Sequence, residues 1–301
     1  MKLTILGSSA STPKINNYTT SQLLKIKNHF ILIDCGEGIQ MQLRKLKVNF
    51  NKISHVFISH LHGDHYFGLI GLISTFRLLG RVSDLNIYAP EGLQEIINLQ
   101  LKLSCSWLNY KVYFHALTGK NQKMIFKNRD FIVKTIPLNH RIYTNGFLFE
   151  EKFYERNLIK SKIKEYKLNI DDIKKIKDGC DITLENGKKL KNSFFLKNPK
   201  ESKRYAFCSD TAYYPDIVEL ISSVNCLYHE STFLDSHCDL AKKTKHSTAA
   251  EAAKIARAAN VEKLILGHFS NRYKNLEKFL DEAKIHFKNV ELAIEGTEFD
   301  I

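Results

Sequence analysis

Apolar and polar positions along the chain alternate between two periods, and the switches between them mark out the elements. Residues 2–6, 21–26 and 29–34 carry short runs rich in Leu, Ile and Phe, bounded by turn formers, and are predicted to be strands. After the break at Cys35-Gly36-Glu37-Gly38, Ile39, Leu43 and Leu46 recur at helical spacing, which predicts a helix over 39–48. Residues 55–58 form a buried strand, and the next apolar run, 67–79, is apolar on most sides, as a buried helix is. The alternation continues with a strand at 85–88, a helix at 92–101, and strands at 111–114, 124–126 and 131–136. From 204 it resumes: strands at 204–208, 226–229, 263–266 and 291–294, with helices at 213–222, 249–259 and 276–287. Ser247 or Thr248 stands where the 249–259 helix needs a cap. Strands alternating with helices predict an α/β class with layered sheets.

Between the two halves lies an insertion that breaks the pattern. From Glu151 to Arg204 there are 16 Lys/Arg against 9 Asp/Glu, a net of +7 within a whole-chain excess of +13. Residues 157–166 read as a basic amphipathic helix and 171–177 as a second short one. We therefore expect one domain over 1–301 with an inserted basic arm at 151–190, an arm suited to meeting phosphates. A basic excess of this size points to an anionic partner, nucleic acid or an anionic surface.

Length and composition narrow the class without fixing the chemistry. At 301 residues with 44% hydrophobic content, the chain has the make-up of a folded protein with a large core. Its six cysteines are scattered without a CxxC pair and read as buried small hydrophobes in a reducing compartment. The most apolar stretch, 66–80, is interrupted by Arg77 and falls short of the roughly 20 residues that span a bilayer. A cytoplasmic protein with no membrane partner is expected.

The chemistry is concentrated in Ser59-His60-Leu61-His62-Gly63-Asp64-His65, directly after a predicted strand. Three imidazoles and a carboxylate within six residues suit a borderline-soft metal such as zinc. Further donors stand at or just after other strand ends: His140, Asp210, Glu230 and His268. In a layered α/β fold the strand ends on one edge converge, so these residues can meet and build a dinuclear centre with one bridging carboxylate.

The run His60 to His65 followed by Tyr66-Phe67-Gly68-Leu69 resembles the metallo-β-lactamase superfamily signature. With His229-Glu230-Ser231-Thr232-Phe233, His246-Ser247-Thr248 and the basic insertion, the chain resembles the ribonuclease Z family more narrowly, over nearly its whole length. The resemblance implies a four-layer αβ/βα sandwich and two zinc ions per subunit. It implies that His60, His62 and His140 hold one ion, that Asp64, His65 and His268 hold the other, and that Asp210 bridges. Asp64 would also serve as general base, while Glu230 and His246 would form a pair that protonates the leaving oxygen. Arg272 and Ser8 (or Ser9) are candidate phosphate contacts, and Lys160, Lys162 and Lys164 candidate arm contacts to RNA.

The implied activity is endonucleolytic removal of the 3′ trailer from precursor tRNA, leaving a 3′-hydroxyl on the tRNA and a 5′-phosphate on the trailer. The implied assembly is a homodimer in which one subunit's arm grips the tRNA that the other cuts. The alternative is a hydrolase of the same fold acting on small phosphodiesters, sulfate esters or thioesters, which would not need the basic arm. The chain departs from the family in three places: no Arg in 13–18, Ser209 before Asp210, and no Pro-Gly turn in 168–173.

Overall fold

Period-two alternation gives each central strand two apolar faces, and the fold uses both. The computed structural model describes residues 1–15, 17–152, 158–184, 187–196 and 202–301. In chain order the strands are β1 (Lys2–Gly7), β2 (Ser21–Ile26), β3 (His29–Ile33), β4 (Ile53–Phe57), β5 (Leu85–Pro90), β6 (Val112–Leu117), β7 (Met124–Lys127), β8 (Phe131–Pro137) and β9 (Asn145–Glu151). They continue as β10 (Ile182–Thr183), β11 (Lys189–Leu190), β12 (Arg204–Cys208), β13 (Cys226–Glu230), β14 (Lys263–Gly267), β15 (Val290–Leu292) and β16 (Glu298–Asp300). The helices are α1 (Ile39–Lys45), α2 (Gly63–Leu78), α3 (Leu93–Leu103), α4 (Lys160–Glu165), α5 (Ile170–Lys177), α6 (Asn192–Phe195), α7 (Cys238–Thr244), α8 (Ala249–Ala258) and α9 (Glu277–Lys284).

Two compact units result, Met1–Glu150 with Lys203–Ile301, and Glu151–Ser202. The larger holds two seven-stranded sheets, ordered β16-β1-β2-β3-β4-β5-β6 and β15-β14-β13-β12-β9-β8-β7. Leu3, Ile5, Ile31, Ile33 and Phe57 of one sheet share a core with Phe147, Phe149, Tyr205, Phe207 and Tyr228 of the other. The residues between them in sequence point outward. Leu32 and Val56 pack with Ile39, Leu43, Leu69, Leu72 and Phe76 of α1 and α2. Ala206 and Cys208 pack with Ala252, Ala253 and Ala256 of α8 and Phe279 of α9. That is the four-layer αβ/βα sandwich. Strands β3 to β6 run parallel, as do β12 to β15, so within each set the C-terminal ends share one edge.

Several elements depart from the sequence reading. β9, α7 and β16 were not anticipated: β9 abuts the insertion, α7 is a mostly polar helix of seven residues, and β16 has three residues. The helix expected over 213–222 is instead a single 3-10 turn, Pro215–Ile217, followed by turns. Ile217 and Ile221 are both buried, so the i, i+4 spacing is satisfied without a continuous helix. α2 is not buried all round, since Phe67 and Leu78 are exposed.

The smaller unit is itself packed. Ile176, Ile182 and Phe195 are buried together, with Tyr166, Leu168 and Leu190 against them. It includes α6, beyond residue 190 where the sequence placed the end of the arm. Residues 153–157, which include the expected start of the first arm helix, lie outside the described residues. No helix among the described residues is long and apolar enough to cross a membrane.

Candidate metal centre

β4 delivers the cluster. The strand ends at Phe57, Ser59 and His60 are fully buried, and α2 begins at Gly63, four residues earlier than its apolar run suggested. Asp64 and His65 therefore occupy its first turn, where the helix dipole favours a carboxylate. His62 is the N-cap residue, but its side chain makes no capping bond, which leaves its ring to the cluster. A Cβ at Gly63 would stand 2.1 Å from the Phe67 ring, so only glycine lets that ring lie against the turn.

The remaining donors arrive from the ends of the second sheet. His140 follows β8, Asp210 follows β12, Glu230 ends β13 and His268 follows β14. The structure brings them together with the cluster. Nε2 of His60 lies 2.9 Å from Nδ1 of His62, which lies 3.3 Å from Nε2 of His140. Asp210 Oδ2 is 3.5 Å from His60 Nε2 and 3.8 Å from His140 Nε2. Its other oxygen, Oδ1, is 3.2 Å from His65 Nε2 and 3.1 Å from His268 Nε2. Asp64 Oδ2 completes that second group, 3.5 Å from His65 Nε2 and 3.6 Å from His268 Nε2. Two nests of donor atoms thus share one carboxylate; the ligand atoms of His60, His62, His140 and Asp210 lie within 4.8 Å of one another, as do those of Asp64, His65 and His268.

The outward nitrogens fix the tautomers. His65 Nδ1 meets Asp34 Oδ2 at 2.7 Å and His140 Nδ1 meets the Lys245 carbonyl at 2.9 Å, so both donate there. Thr232 Oγ1 donates to Glu230 Oε2 at 2.6 Å and so accepts from His268 Nδ1 at 2.8 Å. Ser59 Oγ donates to Asp34 Oδ2 at 2.9 Å and accepts from His60 Nδ1 at 3.0 Å. Each ring is left with a bare Nε2 lone pair toward the cluster, as a metal ligand requires. Nε2 of His65 and of His268 are buried without a hydrogen-bond partner, orphaned acceptors that a cation would satisfy. The residues present fit a metal.

Electrostatics agree with that fit. Burial, with neighbouring His65, holds His60 far below the usual imidazole range. Burial likewise brings His140 down to about 4. Burial pushes the Asp210 carboxyl up, but the imidazoles of His268, His65 and His60 outweigh it and hold it well below the carboxylate range. Burial also opposes charge on His65, yet Asp210, Asp64 and Asp34 raise it far above normal. A site that draws a proton between three carboxylates is one where positive charge is stabilised.

Beside the nests stands a second pair. His246 Nδ1 lies 2.7 Å from Glu230 Oε1, and Glu230 is fully buried, accepting from the Thr211 and Thr232 backbone amides at 2.9 and 3.0 Å. Burial opposes protonation of His246, but the Glu230 carboxylate prevails and pushes it up to about 9. Its ring packs on those of His140 and His268, with centroids 5.0 and 5.4 Å away.

The other sequence candidates fare differently. Arg272 is exposed, bonded to Ser270 Oγ and lying 5.3 Å over Phe233, whose ring is 6.2 Å from His246. Ser8 is buried, with its backbone tied to Tyr18 and Phe269. It is Ser11 of the same loop whose amide donates to Asp64 Oδ2, at 2.8 Å. In the smaller unit Lys160 and Lys164 are exposed, whereas Lys162 is half-buried, donating to the Phe194 carbonyl at 2.8 Å over that residue's ring. Sequence reading gave no role to Asp34, Thr232, Lys245 or Arg141. Arg141 is exposed next to His140, and its charge acts on both His62 and His246. Asp34 closes the predicted strand 29–34 directly before the break at Cys35–Gly38, the one signal that could have pointed to it. Asp34, Asp210 and His268 share left-handed backbone, with φ of 57°, 61° and 58°.

A sandwich of this kind with seven His and Asp donors on one edge defines a metal-dependent hydrolase of the metallo-β-lactamase fold. A family model described as anti-Pycsar protein Apyc1 matches residues 1–187, the stretch that carries β1 to β6 of the first sheet, the cluster and His140. Over nearly the full chain, ribonuclease Z of Bacteroides fragilis is 44% identical across 295 residues, 98% of this chain and 97% of that one. Ribonuclease Z of Cytophaga hutchinsonii is 47% identical across 300 residues, 99% and 95% of the two chains. The crystal structure of the short form of human tRNase Z superposes with a TM-score of 0.73 at 25% identity, covering 100% of this chain and 99% of that one. The chain belongs to the ribonuclease Z family of endoribonucleases.

Proposed function

We propose that this protein removes the 3′ trailer from precursor tRNA, with zinc as its metal. The family supplies the substrate class; the observation that carries the chemistry is the Glu230–His246 pair packed on His140 and His268. In this reading His60, His62 and His140 would hold one zinc ion, Asp64, His65 and His268 would hold a second, and Asp210 would serve both. Bound there, the two ions supply Lewis acidity toward the phosphate oxygens and the attacking water.

The chain's own groups do the rest. Asp64 takes the proton of the attacking water, its carboxylate fixed by the Ser11 amide. His246, protonated at neutral pH, gives its proton to the departing 3′-oxygen of the tRNA, and Glu230 keeps the imidazole charged and oriented. The phosphate therefore stays with the trailer as a 5′-phosphate. Arg272 and Ser8 contribute phosphate contacts beside this centre, and Lys160, Lys162 and Lys164 contribute arm contacts to the RNA backbone.

The same reading makes the protein a cytoplasmic homodimer. Support for the dimer comes from Leu78, Val82, Leu103 and Trp107, large apolar side chains exposed at and just beyond the C-terminal ends of α2 and α3. Arg77 of α2 lies 4.2 Å over the Trp107 ring, which ties the two ends into one patch. Six free cysteines suit a reducing compartment.

Incubation with a 3′-extended pre-tRNA, with and without chelator, tests the function. A metal-dependent cut at the tRNA end leaving a 3′-hydroxyl is expected, and intact substrate with metal present would overturn the reading. Deleting residues 159–176 should slow this cleavage and flatten its salt dependence, since backbone contacts release counterions. Hydrolysis of a small phosphodiester should persist; equal loss of both activities sinks the arm's role.

A further inference from the structure

The loop from Leu138 to Thr144 carries His140 into the metal centre and separates two hollows on the rim. One, of about 480 Å³, is lined by His140, Asn139, Lys120 and Lys245, a basic setting for a phosphate. The other, of about 600 Å³, opens beside His62 and has apolar walls made by Leu61, Pro90, Leu117 and Ile142. Its charged lining group among the described residues is the carboxylate of Glu91, and it has no lysine or arginine. An apolar slot with an acidic edge repels a phosphate. It accepts a flat, uncharged ring that carries an amino group.

We infer that the hollow lined by Leu61, His62, Leu117 and Ile142 is a subsite for the nucleobase on the 3′ side of the cut, the first base of the trailer. This rests on the ribonuclease reading above. The geometry supplies the polarity. His246, which serves the departing 3′-oxygen, packs on His140 and His268, so the tRNA end lies on that side. His62 packs on the His60 and His140 rings, at centroid distances of 4.7 and 5.0 Å, and lines the apolar hollow. The nucleoside that keeps the phosphate is thus the one facing the hollow. Its ring lies against Ile142 and Leu61, with the Glu91 carboxylate accepting from an exocyclic amine. The basic hollow across the loop is open to a backbone phosphate.

An abasic-substrate cycle tests this. Cleavage is measured for two pre-tRNAs, one intact and one lacking the base at the first trailer position, with the wild-type enzyme and Ile142→Ala. Ile142 is 39% exposed, so its truncation leaves the core intact. Loss of a base buried against these aliphatic walls costs the wild type about tenfold in kcat/KM. Ile142→Ala should lose activity on the intact substrate and much less on the abasic one. Equal wild-type rates on both substrates, or an equal loss on both in the variant, would overturn the subsite. If the wild type cleaves neither pre-tRNA, the ribonuclease reading itself has failed, a result distinct from either of these.

Discussion

Asp34 touches no candidate substrate group, yet its replacement by Asn should disable half of the metal centre. The carboxylate is fully buried and accepts three hydrogen bonds, from His65 Nδ1 at 2.7 Å, the Ser59 amide at 2.7 Å and Ser59 Oγ at 2.9 Å. Asn fits the same space and tolerates the left-handed backbone at φ 57°, so the turn survives. It offers only one acceptor atom. If that oxygen keeps the Ser59 amide, the new NH2 group faces His65 Nδ1, and the ring relieves the clash by moving its proton to Nε2. The lone pair that His65 presents to the centre is then lost.

The magnitude follows from one charge-assisted hydrogen bond, about 1.5–3 kcal/mol. That matches the 10- to 100-fold loss of metal affinity typical when the partner of a ligating His is removed, about 1.4–2.7 kcal/mol. Competition against a chromophoric chelator reads the two binding steps separately. One step should weaken by that factor and the other hold. Wild-type affinity at both steps would refute the reasoning. So would equal weakening at both with a lowered melting temperature, which would make Asp34 a fold residue.

Three further expectations follow from the site and its surroundings. Single-turnover cleavage should fall as pH rises through about 9, where His246 loses its proton, and Glu230→Gln should move that limb down toward 6.5; an unmoved limb removes Glu230 from the assignment. Burial, helped by His29 and His115, brings His55 down to about 4 from an unfolded value of 6.5. The unfolded chain therefore binds the extra proton between those values, and stability present above 6.5 is lost as pH falls toward 4. His55→Phe should flatten that acid loss by at most about 3 kcal/mol, read as a shallower decline in melting temperature; an unchanged slope contradicts it. Lys at both Leu103 and Trp107 should yield monomers in sedimentation, and a persisting dimer would move the interface elsewhere.

The gathering of these seven candidate donors was legible because four of them fall within six residues and the others stand beside strand ends, which short apolar runs make visible. Strand ends are also where a layered sheet converges, so residues as far apart in sequence as His60 and His268 could be grouped without coordinates. What stayed hidden depends on geometry that no short pattern encodes. Asp34 and Thr232 act through one hydrogen bond each to a ring nitrogen, and Lys245 acts through its carbonyl, to which its side-chain identity is irrelevant. Ser11 stayed hidden because it holds Asp64 through its backbone amide, which no side-chain pattern marks, whereas the Ser8 and Ser9 amides bond to the Tyr18 carbonyl. The helix expected at 213–222 is a different case: its apolar spacing is real, and Ile217 and Ile221 are both buried, but a 3-10 turn followed by turns satisfies that spacing as well as a helix does.

The left-handed backbone at Asp34, Asp210 and His268 couples ligand chemistry to chain length in a way that charge alone does not. Asp, Asn and His are among the few side chains that visit this region readily, and the conformation costs most others about 1–2 kcal/mol. At position 210 the turn and the carboxylate thus select the same residue. Homologation to Glu keeps the charge, forfeits the favoured turn, and moves both oxygens one methylene away from the backbone that aims them. An Asn there keeps the turn and loses the charge. Paired in one experiment, Asp210→Glu and Asp210→Asn separate what the fold asks of that position from what the metal asks of it.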